Sequence, residues 1–186
     1  MCRPVCLVPR DARQAVLLGL LLLTASSAAL GAGTLGLGTP ARAAVIAAQD
    51  IAIGPRGEEL PAGSGGAAEG KLIYAAKCAM CHGATGSEGP DPVLVGGQGT
   101  LTSDAPLLTI GSYWSHAITL FDYIRRAMPF TAPGSLGADE IYALTAFLLA
   151  ANGIIDAGQR IDREVLPTVA MPNRDAFTPD PRPDTP

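Results

Sequence analysis

The sequence predicts an all-α domain followed by an extended tail. Three observations carry this. Apolar residues recur at helical spacing over residues 70–78, 115–127 and 135–151. Residues 83–99 hold six glycines and two prolines in 17 positions, a density no regular element survives. Between the first helix and that loop stands the motif Cys78-Ala79-Met80-Cys81-His82.

The motif reads C-x-x-C-H, the attachment signature of a c-type haem. Two thiols add across the two vinyl groups of one haem. Two spacer residues, Ala79 and Met80, bring both sulfurs to one edge of the porphyrin. His82 then lies under the iron as the proximal ligand. Other readings of a CxxC pair fit less well. A redox dithiol needs a βαβ context, which is missing here, and a structural zinc site needs four ligands. The other cysteines, Cys2 and Cys6, lie in a segment expected to be removed, and the other histidine is His116. One motif implies one covalent haem c.

Residues 1–43 read as a secretory signal. Arg3, Arg10 and Arg13 form a basic start, an apolar run follows from Ala15 to Leu23, and Ala41-Arg42-Ala43 fits an A-x-A cleavage site. An uncleaved membrane anchor over residues 15–38 is the rival reading, but glycine and serine crowd its second half. The chain carries 13 basic and 17 acidic residues. Cleavage takes away four arginines and one aspartate, leaving 9 against 16, a net charge of −7. Such a surface excludes nucleic acid and anionic membrane as natural partners and suits a protein with a basic patch. Only Cys78 and Cys81 remain after cleavage, so no disulfide holds this small exported domain, and a covalent haem can supply the missing core.

Residues 44–67 read as a flexible lead-in. Ile51-Ala52-Ile53 is a short strand pattern broken by Gly54-Pro55-Arg56-Gly57, and Gly63 to Gly66 reads as a linker. The domain proper spans residues 68–153. In its first helix Leu72, Ile73 and Ala76 form the apolar stripe. Pro92-Val93-Leu94-Val95-Gly96 stands where the loop can wrap the proximal face and offer a carbonyl to Nδ1–H of His82. Tyr113 and Trp114 are candidates to line the haem and hydrogen-bond a propionate, with core packing as the alternative.

The second helix runs to Ala127, with Leu120, Ile124, Ala127 and Met128 at helical spacing, and stops at Pro129. A methionine fixed there is the best candidate for the second axial position, and His–Met ligation is typical of electron-transfer cytochromes. Met171 and His116 are its rivals. Arg125 and Arg126 read either as partners for a propionate or a docking protein, or as a solvated face. The third helix is expected to be capped by Ser135, largely buried, and to cross the first at Gly70, with Tyr74 and Tyr142 as bulk. Residues 154–186 form a proline-rich tail, whose first half has Leu166, Val169 and Met171 to pack along the domain and whose end reads as disordered.

With these residues on the page, the chain resembles a class I cytochrome c over residues 68–153. A narrower resemblance rests on Gly111-Ser112-Tyr113-Trp114, on Thr119 to Phe130 with its Arg125-Arg126-Ala127-Met128-Pro129-Phe130 end, and on Met171-Pro172-Asn173-Arg174. These are similar to the cytochrome subunits of sulfite and sulfane dehydrogenases, the SoxD-type proteins. The resemblance implies Met128 as sixth ligand and a tail that docks on a partner. It also implies a periplasmic one-electron carrier, fed by a molybdenum-cofactor dehydrogenase subunit and emptied by another c-type cytochrome. Many SoxD-type chains are longer, and some carry a second haem domain. Other expectations compete: an electron-accepting subunit of another periplasmic dehydrogenase, an open-site haem enzyme or gas-binding protein if the sixth position is vacant, and an anchoring subunit if the N-terminus is uncleaved.

Overall fold

The computed structural model describes residues 38–178. The chain divides into two compact units, Met1–Val45 and Ile46–Pro186. Of the expected export signal, residues 1–37 lie outside the described residues, as do 179–186 of the tail. Helix α1 (Ala43–Gln49) buries no residue. No helix among the described residues is long and apolar enough to cross a membrane.

The second unit is built on helices α2 (Ala67–Lys77), α3 (Ala79–His82), α4 (Ala117–Ala127) and α5 (Ala138–Ala151), with a two-stranded antiparallel sheet of β1 (Ser64–Gly66) and β2 (Arg160–Asp162). A small, mostly helical architecture is therefore observed. Its core holds Tyr74, Phe121, Ile141, Tyr142, Leu144, Leu149, Ile161 and Leu166, each at 2% exposure or less. Phe121 and Tyr142 lie with ring centroids 4.5 Å apart, and Tyr74 and Phe147 at 5.0 Å.

The α2–α5 crossing sets the geometry. A Cβ added to Gly70 would run into the Ala143 carbonyl, and one at Gly65 into the Ala143 backbone. Two glycines thus let two backbone segments close onto one residue of α5. This contact fixes which face of α2 turns inward. Ala67, Gly70 and Tyr74 are buried, while Leu72 is 75% exposed and Ala76 is exposed too. The expected stripe of Leu72, Ile73 and Ala76 is therefore corrected: only Ile73 of the three is even half-buried.

Helix starts also differ from expectation. Ser135 is not the cap of α5. The cap is Gly137, whose N–H donates to the Glu140 carboxylate at 2.9 Å. The α2 start is built the same way, with Gly66 N–H donating to Glu69 at 2.8 Å. Both caps thus use an acidic side chain one turn in, where it also meets the positive helix end.

The stretch expected as a linker, Gly63 to Gly66, instead contains β1. It pairs in the register Ser64↔Asp162, Gly65↔Ile161 and Gly66↔Arg160. Arg160 adds an ion pair to Glu69 at 2.7 Å. No strand forms at residues 51–53. Ile53 is buried there, and its N–H donates to Asp122 of α4 at 2.9 Å. Arg126 grips the same carboxylate, and Arg125 donates to the Ile51 carbonyl at 3.0 Å. Arg125 thus holds the lead-in directly and Arg126 through Asp122, while Arg126 itself stays exposed. Past α5, Leu166, Val169 and Met171 are buried in the same core.

Two measurements check this account. Gly70→Val forces a side chain against a backbone carbonyl, and thermal or denaturant unfolding is expected to show a loss of about 1–3 kcal/mol or more. Burial alone would raise the Asp122 carboxyl, but Arg126 and the Ile53 N–H outweigh it and hold it below the usual range. A depressed carboxyl stabilises the fold above its unfolded pKa of about 3.9, and that stabilisation is lost as pH falls through the folded value. Asp122→Asn is expected to cost about 1–2 kcal/mol at neutral pH and to flatten the loss of melting temperature below about pH 4.

Candidate haem centre

The motif residues occupy one turn. Cys78 ends α2, and Ala79–His82 form α3 directly after it. Cys81 N–H and His82 N–H both donate to the Cys78 carbonyl, at 3.1 and 3.0 Å. The turn is held from three sides. Tyr74, buried one turn earlier on α2, donates its hydroxyl to the Gly83 carbonyl at 2.9 Å. Asp91 N–H donates to the Cys81 carbonyl at 3.0 Å. Gly89 lies so close that a Cβ there would strike the backbone of Cys81 and His82.

His82 Nδ1 lies 3.0 Å from the Pro92 carbonyl oxygen. With Nδ1 protonated, this bond leaves Nε2 as the nitrogen with a free lone pair and raises its basicity as a ligand. Pro92 itself is exposed, and its backbone carbonyl makes this contact.

The two thiols are free and half-buried. Burial pushes the Cys78 thiol up to about 11. A hydrogen bond to Asp91, with burial, raises Cys81. A reactive redox dithiol needs the opposite, a thiol pKa lowered toward neutrality. Among the described residues no group of three or more His, Cys, Asp and Glu side chains gathers where a metal ion could sit. The donor set instead fits haem c: two thiols and a histidine on one turn, with the imidazole oriented by a backbone carbonyl.

Met128 follows α4. It is extended (φ −122°, ψ 147°), half-buried, and its N–H donates to the Ile124 carbonyl at 3.1 Å. Trp114 is half-buried too, edge-to-face with Tyr123 at 5.8 Å between centroids. Cys78, Ala79, Leu94, Trp114 and Met128 all pack, half-buried, against the same core. The two rival residues are also among the described residues. Met171 is 4% exposed within the core. His116 is exposed at the start of α4, its Nδ1 2.9 Å from the Ser115 hydroxyl.

Sequence reasoning missed the polar supports of the loop. Thr109 and Ser112 are buried, and Thr109 N–H donates to the Ser112 hydroxyl at 3.0 Å, while Gly111 N–H donates to Thr109 Oγ1 at 3.1 Å. Asn152 reaches back to Gly96 and Leu94. The Thr109–Ser112 spacing is a local turn signal that the sequence did offer. The Asn152 contact, across 56 residues, left no local trace.

A family model described as cytochrome c oxidase, cbb3-type, subunit III matches residues 65–148. A chain in the crystal structure of the sulfane dehydrogenase SoxCD from Paracoccus pantotrophus is 43% identical, with a TM-score of 0.73, covering 80% of this chain and 74% of that one. No curated protein matches the chain. The attachment reading is checked by a haem stain after denaturing electrophoresis. The purified protein is expected to keep its stain, and the double variant Cys78→Ala, Cys81→Ala to lose it entirely.

Proposed function

Because the chain belongs to the c-type cytochromes and resembles the cytochrome subunit of sulfane dehydrogenase, we propose that it is a periplasmic monohaem electron carrier. In this reading it takes electrons from a molybdenum-dependent sulfite or sulfane dehydrogenase subunit and passes them to another c-type cytochrome. The observation that carries the proposal is the bond from His82 to the Pro92 carbonyl beside two attachment thiols. It prepares one nitrogen for iron.

Haem c, when bound, supplies a one-electron iron couple. The residues of the chain do the rest. Cys78 and Cys81 hold the group covalently, and His82 gives the proximal nitrogen. Met128 would supply the second iron ligand, a soft thioether that raises the potential. Were His82 and Met128 both to hold the iron, the group would supply electron transfer and leave substrate no place at the metal. Trp114 and Leu94 would line the haem with apolar surface.

The partner assignment draws support from the 43% identity to a chain of SoxCD. Export to the periplasm rests on the basic and apolar start of the chain.

The test is the far-red absorption band that reports sulfur on ferric iron, measured on the full chain matured in cells with haem-attachment machinery. Wild type is expected to show the band, and Met128→Ala to lose it. Met171→Ala is expected to keep the band while losing about 2–5 kcal/mol of stability, as for a buried core methionine. A band that survives Met128→Ala but not Met171→Ala would move the ligand to the tail. No band in wild type, with carbon monoxide binding to the reduced form, would replace the carrier with an open-site haem protein.

A further inference from the structure

Asn152 is 8% exposed, and its whole side-chain amide is engaged with backbone. Nδ2 donates to the Leu148 carbonyl at 2.9 Å and to the Leu94 carbonyl at 3.2 Å. Oδ1 accepts the Gly96 N–H at 3.0 Å. The backbone carbonyl of Asn152 accepts from Gln98 Nε2, also at 3.0 Å. Closing the helix requires none of these loop contacts. The end of α5 already has Asn152 N–H on Leu148, Gly153 N–H on Ala150 and Ile154 N–H on Leu149.

The amide therefore reads residues 94–96 as a neighbouring strand would, giving one hydrogen bond and taking one. Its own position is fixed by crowding, because a Cβ at Gly111 would run into Asn152 Oδ1. The other side of the segment is tied to the motif loop. Leu94 and Val95 N–H groups donate to the Gly86 carbonyl at 2.8 and 3.1 Å. Residues 91–96 are thus clamped between the attachment turn and the end of α5. Pro92, two residues before Leu94, has no N–H of its own with which to anchor itself. Where its carbonyl sits follows from where the segment is held.

We propose that Asn152 is a positioning residue for His82, setting the strength of the Nδ1–H to Pro92 carbonyl bond and through it the potential of the bound haem. The inference rests on the reading of His82 as proximal ligand. A firm bond makes the imidazole a more basic donor and favours the oxidised iron. Loosening the clamp weakens the bond, so the potential rises.

The test compares Asn152→Leu, Asn152→Ala and Thr145→Val with wild type as full-length, haem-loaded protein. Thr145 lies on the same helix, fully buried, and its hydroxyl donates to the Ile141 carbonyl, away from the loop. It controls for general loss of stability. Asn152→Ala leaves room for water on the bared backbone groups, so one variant remains measurable if the leucine form does not fold. Two readouts are taken: the midpoint potential and, in the reduced form, hydrogen exchange at His82 Nδ1. Both Asn152 variants are expected to raise the potential and to speed exchange about tenfold, roughly the worth of one net hydrogen bond. Thr145→Val is expected to lower the melting temperature and leave both readouts at their wild-type values. Wild-type potential and exchange in a folded Asn152 variant, or equal shifts in Thr145→Val, would overturn the proposal. The wild-type far-red band reports separately on the His82–Met128 reading, so the two failures are distinguishable.

Discussion

The structure depends on the approach of two backbones at Ala143. Gly70 on α2 and Gly65 on β1 both close onto this residue of α5, and neither tolerates a Cβ there. The attachment turn begins directly after α2, so the place of Cys78, Cys81 and His82 is the place of α2 carried forward one turn. Tyr74 makes the link explicit. Its ring packs on Phe147 of α5 and its hydroxyl holds the Gly83 carbonyl at the exit of the motif. A glycine four residues before a buried tyrosine thus governs chemistry at the end of the helix.

The glycine-rich loop is ordered from outside itself. It lacks a helix or strand, yet its backbone groups meet Cys81, Thr109 and Asn152 beyond it. Buried backbone groups need partners, and here the partners are mostly fixed residues of helices and turns. The loop then holds the Pro92 carbonyl against His82 without regular structure. Asp122 acts in the same manner on the lead-in, pairing with Arg126 while accepting from Ile53.

Much of this was legible in the sequence, and the limits have physical reasons. The motif, the three long helices, the α2–α5 crossing at Gly70 and the loop carbonyl on His82 all follow from spacing or local chemistry. The inward face of α2 did not, because alanine and glycine carry little hydrophobic signal and Leu72 then dominates a periodicity count. The strand at Ser64–Gly66 read as a linker, since two glycines look flexible until a partner nearly a hundred residues away is known. Asn152 closes α5 with no local sign of a reach to the loop, and only the folded loop gives its amide three backbone partners.

The pairing of β1 with β2 also orders events in time. A chain made from its N-terminus presents both thiols before Arg160–Asp162 exists. Until that strand arrives, Gly65 has no ladder partner and Arg160 cannot reach Glu69 at the start of α2. The start of the helix that delivers Cys78 is therefore fastened by residues made some ninety positions later in the chain than the helix itself.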